Sequence, residues 1–450
     1  MTTRTVFLKL ASVAVLSLAA VSAAQAVTFD RAKFNVGTYY LQPYARTPQH
    51  LQDVKDCGID FVVGLLPRER AALDGFEKYG IGSFTCGFTE FILGGPDWAG
   101  KVAERAPLKG YDDCLATYRK NRWEHPATTG ISFMDECSAV DYPHIGKVTG
   151  RMLKLMPECF MYCCLLPYGM SGAPNEKSRL QSSYGAVSYR QYVEEYCEHM
   201  PLDYICWDNY LYNSLLLGDY YENFRIVADV CRQTGRALWY VGQATTSGKN
   251  WLSENAMRYQ ANTVMAFGGE TILWACYTKG WWENHVVDEL GRKTQQYDKL
   301  KKVNAEIHAL SPYYMRYRNV NTHFVGFAGH ADDLKNTEIA PKDEVNCGYF
   351  RGVRAEDGLQ LIVGEMTPKV RDESRALFVL AADDPFDRGN RMRRVRFEIA
   401  EGFEARVIGN QGKVPLVQDG KGGYAFEISS CFGALVVARR TQASKKRGSM

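Results

Sequence analysis

Between Phe34 and Thr278 one pattern repeats eight times: a short apolar run, then a stretch whose apolar residues recur at spacings of three and four. The runs are Phe34–Gln42, Ile59–Pro67, Ile81–Gly87, Thr128–Glu136, Cys159–Pro167, Asp203–Tyr210, Ala237–Ala244 and Thr271–Thr278. Runs of this length read as buried strands, and the stretches between them, such as Tyr189–His199 and Tyr221–Thr234, as amphipathic helices. Eight alternations predict an α/β fold of the (β/α)8, or TIM, barrel type. An open doubly wound sheet would carry a glycine-rich phosphate turn after its first strand, and Gly37-Thr38-Tyr39-Tyr40 is not such a turn.

The last barrel helix is expected over Arg292–Leu310, where Tyr297, Leu300, Val303, Ile307 and Leu310 keep helical spacing. Beyond Pro312 short alternating segments take over, beginning at Gly358, Ala376, Val395, Tyr424 and Ala434 and broken by turns such as Asp419-Gly420 and Gly422-Gly423. That change predicts a C-terminal antiparallel β-sandwich. The expected division is a leader over 1–26, the barrel over 27–315, the sandwich over 316–441 and a basic tail over 442–450.

The leader has the parts of an export signal: Arg4 and Lys9, an apolar core Leu10–Val21, and a small-residue cleavage site Ala24-Gln25-Ala26. Its apolar core is short for a bilayer, which favours removal over the alternative of a retained anchor; no later stretch is apolar enough to span, so no stable membrane span is expected after leader removal, and the mature chain is expected in the periplasm or outside the cell. A net charge of +3 without a basic stripe argues against a nucleic-acid partner. The 13 cysteines, many inside apolar runs such as Cys159-Phe160-Met161-Tyr162-Cys163-Cys164, read as small buried hydrophobes and not as a disulfide framework, though one or two bridges are compatible with export. Cysteine and the 8 histidines show no paired metal-ligand spacing, so neither a metal nor an organic cofactor is expected. Oligomeric state is not legible in the sequence.

In a barrel, function gathers at the carboxyl ends of the strands. Those ends carry Tyr39, Tyr40 and Gln42; Asp135 and Glu136; Tyr168; Asp208, Asn209 and Tyr210; Gln243; and Trp274 and Tyr277. Aromatic faces stack on sugar C–H surfaces while amides and carboxylates bond to hydroxyls, so this set predicts a carbohydrate substrate. Trp281 and Trp282, past the eighth strand, are better sugar platforms than the in-strand Trp207 and Trp274. Glu270, which precedes the last strand, is expected at the lower rim in a structural role, and Glu283 is a reserve acid. Neighbours on a strand point to opposite faces, so only one of Asp135 and Glu136 need enter the site.

Three stretches, Met134–Pro143, Gly268–Trp274 and Lys293–Tyr297, resemble exported bacterial glycoside-hydrolase-like proteins related to the family 42 β-galactosidases. The resemblance implies a barrel enzyme acting on glycans, with Glu136 in the place of the general acid at the end of the fourth strand. Where retaining members of the wider clan have asparagine before that acid and a glutamate nucleophile ending the seventh strand, this chain has Asp135 and Gln243. An amide cannot form the glycosyl-enzyme ester. Two arrangements would restore hydrolysis: Asp208 as base for a water with Glu136 as acid, or a substrate acetamido group oriented by Asp135. The competing class is a non-catalytic glycan-binding protein on a degenerate barrel.

Overall fold

The computed structural model describes residues 29–441, apart from 87–92, 95–98, 122, 158, 170–174, 214–215, 384, 387–390 and 419–422. The leader, the tail and the turn residues Asp419, Gly420 and Gly422 therefore lie outside the described residues.

All eight apolar runs form parallel strands: β1 (Asn35–Tyr39), β2 (Phe61–Leu65), β3 (Gly82–Thr85), β4 (Thr128–Asp135), β5 (Phe160–Cys164), β6 (Tyr204–Asp208), β7 (Ala237–Gln243) and β8 (Gly269–Ala275). Each is followed by its helix: α1 (Pro48–Asp56), α2 (Arg70–Tyr79), α3 (Leu108–Lys120), α4 (Tyr142–Leu155), α5 (Tyr189–His199), α6 (Leu217–Thr234), α7 (Glu254–Ala266) and α8 (Gln295–Tyr314). Pairing runs in order round the ring, with β8 back on β1 in the register Asn35↔Thr271. The ring closes between β5 and β6 through the bridge Leu165↔Trp207, where Leu165 N–H donates to the Cys206 carbonyl at 2.9 Å. The chain is thus a TIM-like barrel. None of the described helices is long and apolar enough to cross a membrane.

At the lower end, where the strands begin, the Phe29 ring fills the barrel mouth. It stacks on Trp239 at 4.8 Å and touches Phe61, Phe84 and Phe160. Glu270, the second residue of β8, is held here by the Lys369 ammonium at 2.6 Å.

With two residues between, the first sandwich strand follows α8 and begins at Tyr317. One antiparallel sheet contains Tyr317–Val325, Leu361–Pro368, Arg375–Ala381, Gly433–Arg440, Phe403–Gly409 and Gly412–Val414; the other contains Val345–Cys347, Phe350–Ala355, Met392–Ile399, Gly423–Ser429 and Val417–Gln418. Alternation divides the first sheet's side chains. Phe324, Ile362 and Phe378 join the barrel core, while Val325, Val363 and Val379 join the core between the sheets. All 13 cysteines are free thiols.

Candidate active site

The fourth strand delivers Asp135 as its last residue, paired in register with Cys164 of β5. Glu136 follows with φ = 47°, a left-handed conformation that costs a side-chain-bearing residue on the order of 1–2 kcal/mol. Its N–H is fixed on the Cys164 carbonyl at 2.9 Å. The left-handed residue breaks strand alternation, so Asp135 and Glu136 both line the same cleft, where alternation alone would admit one of them. Strain held at such a point is characteristic of functional sites.

Asp208 ends β6 and lines the same cleft, of about 280 Å³. Only 8% of it is exposed, and its Oδ1 has no hydrogen-bond partner. No cation pairs with any of the three carboxylates among the described residues. Burial, then the charges of Glu136 and Asp135, push Asp208 well above the usual carboxylate range, against a hydrogen bond from Tyr210 that works the other way. Asp135 is pushed up to about 7 by the protein packed around it and then by Glu136, although the cleft leaves it exposed on its open side. Glu136 is raised by burial alone.

Aromatic rings wall the cleft. The half-open Trp281 indole lies 5.3 Å from Tyr39, 5.7 Å from Tyr40 and 6.2 Å from Tyr210, ring centre to ring centre. His285 holds the Trp281 loop, its Nε2 lying 3.2 Å from the Trp281 carbonyl oxygen. Gly64 makes room for Tyr40: a Cβ there would stand 2.4 Å from the tyrosine ring. The Tyr39 hydroxyl is bonded to that of Tyr162, which also meets Cys206 Sγ at 3.6 Å. Burial pushes Tyr40 up to about 12, so it stays a neutral donor at any working pH.

Seven of the residues singled out from sequence therefore meet in one cleft: Asp135, Glu136, Asp208, Tyr39, Tyr40, Tyr210 and Trp281. Gln42, Tyr168, Asn209, Gln243, Trp274 and Tyr277 do not line it, and the expectation that they form the site is corrected. The Gln243 amide is fully buried, accepting from Tyr212 N–H at 3.0 Å and donating to the Thr245 carbonyl at 3.0 Å. Asn209 points away and donates to Asn223 at 2.8 Å. Trp274 donates its indole N–H to Asn304 at 2.9 Å, and Tyr277 is 1% exposed within the core. Gln42 bonds the Lys279 carbonyl, Tyr168 packs on Tyr189, and Glu283 accepts from Gly248 N–H. Sequence reasoning missed Ser132, Met134, Tyr162 and Cys164 as lining residues. They sit inside apolar strands, and only the inward register of the barrel distinguishes them from core.

A buried carboxyl of raised proton affinity beside two more exposed ones is a set that can donate and accept protons. No protein-family model matches the chain, and no curated protein does. Among solved structures it is similar to a family 39 glycoside hydrolase from the gut symbiont Bacteroides cellulosilyticus WH2, with 11% identity, 92% of this chain and 82% of that one covered, and a TM-score of 0.50. An endo-β-1,4-mannanase from Thermotoga petrophila follows at 10% identity, covering 90% and 93%, with a TM-score of 0.40. A β-galactosidase from Rahnella sp. R3 has 10% identity, covers 66% and 59%, and has a TM-score of 0.45. At these identities the likeness is one of fold, it rests on the first of the three, and it does not single out family 42.

Proposed function

We propose that this protein is an exported glycoside hydrolase that cleaves glycosidic bonds in oligo- or polysaccharides with acid and base drawn from Asp208, Glu136 and Asp135. The observation that carries the reading is the convergence of three carboxylates, none paired with a cation among the described residues, on one aromatic-walled cleft at the carboxyl ends of the strands. Glycoside hydrolysis needs one protonated and one ionised carboxyl across the scissile bond.

The electrostatics favour dividing the roles differently from the sequence-based expectation of Glu136 as acid and Asp208 as base. Asp208, the most buried and the one raised by both neighbours, holds its proton most tightly and donates it to the leaving oxygen. Glu136, raised by burial alone, is the one that ionises most readily and acts on water or on the anomeric carbon. Asp135, held near 7, shares the remaining proton or orients a substrate acetamido group. Trp281, Tyr39 and Tyr210 hold the sugar ring. This scheme calls for neither metal nor organic cofactor. Export is supported by the basic start, apolar core and small-residue site of residues 1–26, which point to the periplasm or the medium.

Gln243 favours a second reading, a glycan-binding protein without turnover, because the clan's usual nucleophile position ends in an immobilised amide. The test is hydrolysis of aryl glycosides, with and without 2-acetamido groups, by the mature protein, Asp208→Asn and Glu136→Gln. Turnover abolished in both variants supports the hydrolase. Restriction to acetamido sugars assigns Asp135 the orienting role. Glycan binding without turnover, unchanged in both variants, establishes the second reading instead.

A further inference from the structure

Outside the cleft, three strands of the sandwich bring together His323, Cys347 and Glu365, whose ligand atoms all lie within 4.8 Å of one another. Among the described residues it is the only such group of metal-binding side chains. His323 and Glu365 come from the paired strands Tyr317–Val325 and Leu361–Pro368. His323 stands opposite Val363 and Glu365 opposite Asn321, so the two are diagonal neighbours on one face. That face looks across to the other sheet, where Cys347 closes the cluster from its edge strand Val345–Cys347. Tyr317–Val325 is the edge strand of its own sheet.

His323 and Cys347 are each 8% exposed, and His323 Nε2 has no hydrogen-bond partner, standing 3.6 Å from a Glu365 oxygen. A buried ring nitrogen left without a partner, aimed at a thiol and a carboxylate, is costly unless something binds it. We propose that His323, Cys347 and Glu365 form a binding site for a borderline divalent cation such as zinc, which clips the two edge strands of the sandwich together. Nitrogen, sulfur and oxygen donors suit zinc, with water as the fourth ligand. Zinc holds its ligands at about 2.0–2.3 Å, so ligand atoms stand roughly 3.3–3.7 Å apart and the cluster must contract by on the order of an ångström.

Lys342 is the competitor. Its Nζ lies 3.2 Å from His323 Nδ1, and donation there leaves the ring proton on Nε2. Binding moves that proton to Nδ1, releases the Cys347 thiol proton to solvent, and sends the exposed Lys342 side chain outward. The spacing of these ligands along the chain, 24 and 18 residues apart, gave no metal motif because each comes from a different strand.

The test is equilibrium dialysis of the mature protein against zinc, with metal content measured after exhaustive wash, and cobalt substitution to detect a thiolate charge-transfer band. One retained equivalent is expected, weakened at least about tenfold in Cys347→Ser and in His323→Gln. Lys342→Met, a surface change that should fold whatever the fate of the others, is expected to tighten binding. No retained zinc, retention indifferent to Cys347→Ser, or a cobalt complex lacking the thiolate band would overturn the site. Affinity unchanged in Lys342→Met would do the same.

Discussion

At the lower rim of the barrel Glu270 meets Lys369, Asp60 meets Lys33 and Asp203 meets Arg31, while the Phe29 ring stoppers the mouth between them. At the upper rim Asp135, Glu136 and Asp208 face one another without a cation among the described residues, one of their oxygens has no partner, and Glu136 is left-handed. The same eight strands begin at one rim and end at the other, so the strands themselves do not account for the contrast. Charges that are matched stabilise; charges that repel and desolvate one another raise proton affinities, which is what acid–base chemistry requires. The upper rim is held in that state by the rest of the fold.

The comparison breaks most visibly if the rims can be exchanged in effect. Asp208→Asn or Glu136→Gln is expected to lower aryl-glycoside turnover by roughly 10²–10⁴-fold with the fold intact, measured as kcat/KM beside a thermal unfolding curve. Phe29→Ala, at the opposite end, should cost about 3 kcal/mol in denaturant unfolding and leave KM unchanged, since no ring contact of Phe29 reaches the cleft. Gln243→Glu sharpens the picture of the seventh strand. It removes the donor to Thr245 in a fully buried site, so stability is expected to fall by about 1–3 kcal/mol with no gain in turnover. The smallest effect is that of Trp281→Ala, which removes a half-exposed platform worth about 1 kcal/mol and should raise KM several-fold while kcat changes little.

The contrast also explains what could be read from sequence. Barrel strands are buried on both faces, so they appear as continuous apolar runs, and each run from Phe34–Gln42 to Thr271–Thr278 matches a strand. The same double burial hides direction. Asp208 and Asn209 are adjacent and equally plausible, yet one lines the cleft and the other bonds Asn223 behind it. Trp274 and Tyr277 stand at or just past a strand end, where only the barrel's inward register separates platform from core. The left-handed turn that lets Asp135 and Glu136 share the cleft has no signature in a Met-Asp-Glu-Cys string, because nothing in those residue types demands positive φ.

The central claim is that the upper rim carries a carboxyl, Asp208, whose proton affinity the fold raises. A carboxyl with a raised folded-state pKa adds no penalty below its unfolded value near 3.9, and destabilises the fold increasingly as pH rises through the interval up to its folded value. The most direct measurement is the unfolding midpoint of the mature protein and of Asp208→Asn across pH 4 to 9, without substrate. The account predicts that the wild-type midpoint falls with rising pH relative to the variant, and that the variant is the more stable above neutrality. Parallel curves, or a variant less stable throughout, would contradict it.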